Sequence, residues 1–142
     1  MTLKDTDLII AQCQLQHATT PQDYVGFALA YSYAKEHGNE AIKLGLPTTV
    51  ILWWAQLIDS RNNNGYRSVP LSFPPEALQP QLIQRAMTSL LSNLRSLTPD
   101  EAYKEFETIH PFIDGNGRVG HLLWASMHDE WPMTLPPDLD LK

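Results

Sequence analysis

A chain of 142 residues with 43% hydrophobic and 18% charged residues suits one compact domain with a real core and leaves little room for a second. Its formal net charge of −6 excludes a general nucleic-acid surface, because phosphate backbones need a basic face. The longest apolar patch, around Val50 to Ala55, is far too short for a membrane span. The opening MTLKDTDLII lacks the basic start and apolar stretch of an export signal, so the expectation is a cytoplasmic chain, or one delivered to a host cytosol. The one cysteine, Cys13, can form no internal disulfide or Cys-based zinc site and reads as a small core residue.

The periodicity is helical nearly throughout. After Asp5-Thr6-Asp7, the segment LIIAQCQLQ predicts a short first helix. A second begins after Thr20-Pro21 and runs to Gly38, which reads as its stop. A third starts near Thr48 and is apolar almost all round, hence expected to be buried. The stretch SRNNNGYRSVPLSFPP then breaks the pattern. Its turn residues, with Tyr66, Val69, Leu71 and Phe73 and with Pro70 interrupting them, predict a short exposed β-hairpin or flap. From Pro80, leucines with Ile83, Ala86 and Met87 recur at helical spacing as far as Leu97, and all are assigned to the core. Thr98-Pro99-Asp100-Glu101 combines a cap, a first-turn proline and a capping-box glutamate. The helix it starts ends near His110, because a residue before proline disfavours the helical region. A last helix runs from Gly117 to about Asp129, where Trp131-Pro132 follows, with a Pro-rich tail over 131–142. The expected fold is one all-α domain over residues 1–142, its core at about 48–130 and the helices of 1–47 packed on it.

The chemistry concentrates in HPFIDGNGRVGH, residues 110–121. At a helix carboxyl end, His110 feels a partial negative charge that favours its protonated form, putting its pKa near working pH. Gly115 and Gly117 permit positive φ and close backbone approach, and a helix starting there offers unpaired amides to an anion. Arg118 opposes the helix dipole unless an anion sits beside it, and the Asn116 amide can donate to a phosphate oxygen. Asp114 is a hard carboxylate of the kind that holds Mg²⁺ together with phosphates and water. Each residue alone has a bland use as a cap, turn or loop anchor. Base, carboxylate, anion nest and cation in one loop point to chemistry on a phosphorylated ligand. A metal hydrolase built on His110, Asp114, His121 and His128 is disfavoured, since the last two lie seven apart on one helix.

HPFIDGNGR resembles the signature of Fic-domain proteins, H-P-F-x-[D/E]-G-N-G-R-x-x-R. The Gly65-Tyr66-Arg67 stretch, followed by Val69 and the prolines, is similar to that family's flap. The resemblance implies a nucleotidyltransferase that attaches a nucleoside monophosphate, AMP from ATP by preference, to a Ser, Thr or Tyr hydroxyl of a target protein. It implies His110 as base, Asp114 as Mg²⁺ ligand, and Gly115, Asn116, Gly117 and Arg118 as nucleotide-binding residues. Gly65, Tyr66, Arg67 and Val69 would form the flap that docks an extended target segment. Mg²⁺, ATP or another nucleotide, a target protein and, in some settings, an inhibitory partner protein are the implied cofactors and partners; no membrane is.

One position departs from the pattern. His121 stands where the second arginine belongs, three residues after Arg118 on the same helical face. Histidine cannot make arginine's bidentate grip on outer phosphates. Weak ATP use, a different donor, or a silent binding module remain open beside a live enzyme. A kinase of the Doc type is disfavoured, because its members carry lysine where Gly117 stands. The family's inhibitory motif, [S/T]-x-x-x-E-[G/N], has only a partial echo at Ser32 to Glu36, followed by His37. That segment reads as ordinary solvent-facing helix.

Overall fold

A computed structural model describes residues 1–71 and 77–133. Among them the regular structure is all helical: α1 (Leu3–Leu15), α2 (Pro21–Tyr33), α3 (Asn39–Lys43), α4 (Thr48–Ile58), α5 (Pro80–Ser92), α6 (Pro99–Ile109) and α7 (Asn116–His128). No helix of the described residues is long and apolar enough to cross a membrane.

Capping sets three of the starts. Thr2, Thr20 and Thr98 each accept a hydrogen bond from the third helical residue, and Asp5, Asp23 and Glu101 answer to the cap backbone. This closes two orphan amides per helix. Asp5 and Asp7 therefore lie inside α1 rather than ahead of it, and the first helix starts five residues before the expected segment.

Gly38 does not stop the second helix. The chain passes through a π-helical turn at Ala34–Gly38 and continues into α3, with Gly38 at φ −60°. Its missing side chain serves packing instead: a Cβ there would sit 2.3 Å from Ser126 Oγ on α7. Asn39 Nδ2 donates to the Ser126 carbonyl at 3.0 Å next to that contact.

Helices α6 and α7 form the closest pair, with α4 and the π turn packed on α7 and α5 on α6. Between them lie Phe27, Tyr31, Trp54, Ile58, Ile83, Met87, Phe106, Phe112 and Leu122, all buried. Each such side chain contributes on the order of 1.5–3 kcal/mol by leaving water. One core assignment, Leu82, and the expectation that α4 is buried all round need correction. Leu82 is 48% exposed, on the solvent side of α5, and Trp53 on α4 is 41% exposed with its ring edge against Tyr33.

Among the described residues the hairpin is not found. Residues Ser60–Asn64 form a 3₁₀ turn capped by Asp59, and 65–71 follow without strand pairing. Phe73 and the prolines after it lie outside the described residues. Asn62 and Arg67 instead bond to the distant loop at residues 110–114, which holds this stretch against α6 and α7 rather than in a ladder.

Candidate active site

The loop from His110 to Gly115 joins α6 to α7, and three side chains brace it from within and beneath. Asn116 closes it on itself: its Oδ1 accepts from the Phe112 amide at 2.9 Å and its Nδ2 donates to the Phe112 carbonyl at 2.8 Å. Asn62 Nδ2 donates to the Asp114 carbonyl at 2.9 Å and to the Ala55 carbonyl at 3.0 Å. Arg67 Nε donates to the His110 carbonyl at 2.7 Å. The Asn116 side chain thus shapes the loop, and the group it leaves for an anion is its backbone amide.

Gly115 caps α7 in the left-handed region, φ 81°, and no side chain caps that helix. A Cβ at 115 would lie 2.7 Å from Ile58 Cγ2, so both conformation and space require glycine. The first-turn amides of α7 have no partner within the helix. Gly115 and Asn116 are buried and Gly117 partly exposed. The exposed side chain of Gln16, at the end of α1, lies over Gly117, with Oε1 2.6 Å from where a Cβ would be.

Arg118 is 1% exposed. Its Nη1 lies 4.0 Å from Asp23 Oδ1, too far for a hydrogen bond, and its Nε and Nη1 make none among the described residues. The expected conflict between this cation and the helix dipole is met only in part by Asp23. Cys13, fully buried in the same neighbourhood, has its thiol pKa pushed up by burial; Arg118 lowers it and Asp23 raises it further.

His110 takes the left-handed conformation, φ 50° and ψ 63°, and is half-buried. The expected upward push from the helix end loses. Burial drives the imidazole pKa below its usual value; the Glu107 backbone carbonyl raises it, Arg67 lowers it and Asp114 raises it. Asp114 is half exposed, accepting from the Gly115 amide at 2.8 Å through Oδ1. Its Oδ2 pairs at 2.7 Å with Arg61, which also forks onto Asp59. One exposed carboxylate suits Mg²⁺, which needs only one or two from the protein beside phosphates and water; Arg61, 61% exposed, is free to yield.

His121 is fully buried, its ring centroid 5.9 Å from Trp124, which donates to Asp100 at 2.8 Å and meets His128 edge-on. Of the flap residues, Arg67 is 3% exposed and Tyr66 packs on Phe112, whereas Val69 is 49% exposed. Glu36 is 73% exposed beside His37, and Lys35 pairs with buried Asp5. The segment from Ser32 to Glu36 therefore presents no carboxylate to Arg118.

Three site neighbours escaped the sequence reading. Gln16 and Arg61 carry no local signal. Glu107 does: it lies on the side of α6 that faces α7, with Oε1 sealed from water 2.7 Å from where a Gly120 Cβ would stand. Burial lifts its pKa to about 7.

A left-handed histidine, a helix start without a side-chain cap and a buried arginine in the first turn of that helix meet in this helical domain. A family model described as the Fic/DOC family matches residues 55–127, just over half the chain. The chain belongs to the Fic/DOC family. No match is found among curated proteins or among solved structures.

Proposed function

We propose that this chain transfers a nucleoside monophosphate, AMP from ATP by preference, to a hydroxyl side chain of a target protein. The observation that carries the reading is Arg118: a buried guanidinium whose Nε and Nη1 have no hydrogen-bond partner among the described residues, Nη1 facing Asp23 only at 4.0 Å, beside a helix start with no side-chain cap. Such a pair is costly to leave unmatched, and a phosphate satisfies both.

His110 takes the proton of the target hydroxyl. The hydroxyl oxygen bonds to the α-phosphorus while the bond to the departing pyrophosphate oxygen breaks. Burial keeps the imidazole neutral at neutral pH, which is the form a base requires. The amides of Asn116 and Gly117, with Arg118, face the charge that accumulates on the phosphate oxygens, while the Gly115 amide is held by Asp114 Oδ1. Asp114 would hold Mg²⁺, which supplies neutralisation of the outer phosphates when bound. Gly65 and Val69 would dock the target in extended form. Gln16 must lift from Gly117 for a phosphate to reach the nest.

The test is incubation with labelled ATP, GTP, CTP or UTP, Mg²⁺ and a cell lysate, comparing wild type with His110→Ala. A labelled protein that disappears in the variant is expected; no label from any donor refutes the reading. A second reading rests on His121. A buried imidazole in place of the second arginine gives no bidentate grip on outer phosphates. That favours a donor other than ATP, or a silent module that binds a partner. Calorimetry separates them, because a silent module shows neither nucleotide affinity nor Mg²⁺ dependence.

A further inference from the structure

Arg67 makes more structural bonds than any other side chain around the loop, and each goes to a backbone carbonyl. Its Nε donates to His110 at 2.7 Å and its Nη2 to Ile109 at 3.2 Å, the last carbonyls of α6. Its Nη1 donates to Val69 at 2.9 Å, and Nη2 also to Leu78. Its own amide donates to the Pro111 carbonyl at 2.9 Å. The guanidinium therefore ties the backbone of the candidate base to both ends of the segment between Val69 and Leu78.

We propose that Arg67 is a positioning residue that fixes the left-handed His110 backbone, and with it the direction of the imidazole, by tying it to the Val69 and Leu78 carbonyls through one shared guanidinium. The inference rests on the transferase reading of this site. The left-handed backbone of His110 is strained for a residue with a side chain and persists only where its surroundings determine it. Arg67 supplies that determination on both sides: the His110 carbonyl is held by Nε and the next carbonyl, Pro111, by the Arg67 amide. A cation at a helix carboxyl end is also favoured by the dipole and satisfies carbonyls the helix cannot. Lysine in its place would keep the charge while losing the planar fork that reaches four carbonyls at once. A residue that merely filled the core would not be coupled at once to the His110 backbone and to the Val69 and Leu78 carbonyls.

The experiment compares wild type with Arg67→Lys and Arg67→Gln, each checked for cooperative unfolding. The His110 Cα chemical shift, which reports the left-handed backbone, is measured beside steady-state transfer. The expected result for Arg67→Lys is a Cα shift moved toward the conformational average and kcat lowered about 100-fold, the scale of a reacting group misplaced by about 1 Å. Nucleotide KM should stay within about two-fold, because phosphate contacts lie elsewhere. Arg67→Gln should show a larger loss; if it does not fold, Arg67→Lys decides. A folded lysine variant with wild-type shift and wild-type kcat overturns the proposal, as does a loss confined to nucleotide KM. If wild type transfers no nucleotide at all, the transferase reading fails, and the shift comparison still decides whether Arg67 holds the His110 backbone.

Discussion

Glu107→Gln should flatten the pH dependence of stability on the alkaline side. The Glu107 carboxyl lies at the crossing of α6 and α7, against Gly120 and Phe106, with Oε1 cut off from water and unbonded. Burial disfavours the anion and lifts the pKa from 4.5 to about 7. The folded state consequently binds a proton that the unfolded state has released between these two values. Stability falls as pH rises through that window: the Glu107 contribution is intact below about pH 4.5 and lost above about pH 7. The shift corresponds to about 3 kcal/mol, an upper limit because the helices relax and water enters when the charge forms. Glutamine keeps the shape and cannot ionise. Urea unfolding near pH 4 should give nearly equal stabilities for wild type and variant, and near pH 8.5 the variant should be more stable by up to about 3 kcal/mol. The five histidines are common to both proteins and cancel in the difference. Stability curves that stay parallel across this range would refute the argument, since a solvated carboxyl at 107 predicts that outcome.

Arg61→Gln should free Asp114 and lower the half-saturating Mg²⁺ concentration, measured by calorimetry with nucleotide present. The pair is exposed on both sides, so the gain is limited to about 1 kcal/mol, or roughly five-fold; unchanged or weaker Mg²⁺ affinity would remove Asp114 from the metal role. Asp5→Ala should destabilise by about 2–3 kcal/mol in chemical denaturation, because it strands Tyr31 Oη, Lys35 and the Thr2 cap. Burial alone would raise the Asp5 pKa, but hydrogen bonds from Lys35, Thr2 and Tyr31 overcome it and hold it well below the usual range. Its contribution is therefore present above about pH 4 and fades only under strong acid. Gly26→Ala puts a methyl 1.8 Å from the Leu57 carbonyl oxygen, where backbone cannot yield. The α2–α4 contact must open, with a loss of about 3 kcal/mol and a fall of several degrees in Tm.

The features legible from sequence share a property: their cause is local. Thr98 and Glu101 lie three residues apart, so the start of α6 follows from four letters and is found where expected. Pro111 forbids helix at His110 by a clash with its immediate neighbour, and the backbone there is left-handed instead. Gly115, Asn116 and Gly117 announce an unusual helix start, and α7 begins at Asn116 with a positive φ before it. Gly38 misled because glycine carries two meanings, a helix stop and a close approach, and only the position of Ser126, 88 residues on, selects the second. Arg67 was read with the exposed flap because its acceptors, the carbonyls of Ile109 and His110, are more than forty residues away. The same distance explains the imidazole. A helix end is visible in sequence and raises a histidine pKa, whereas burial, which lowers it and wins, comes from the packing of the whole domain. The site is therefore a local motif whose electrostatics are set from far along the chain. Its amides and left-handed turn come from nine consecutive residues, and the lowered pKa of His110 comes from burial in the packed domain, with Arg67 adding to it.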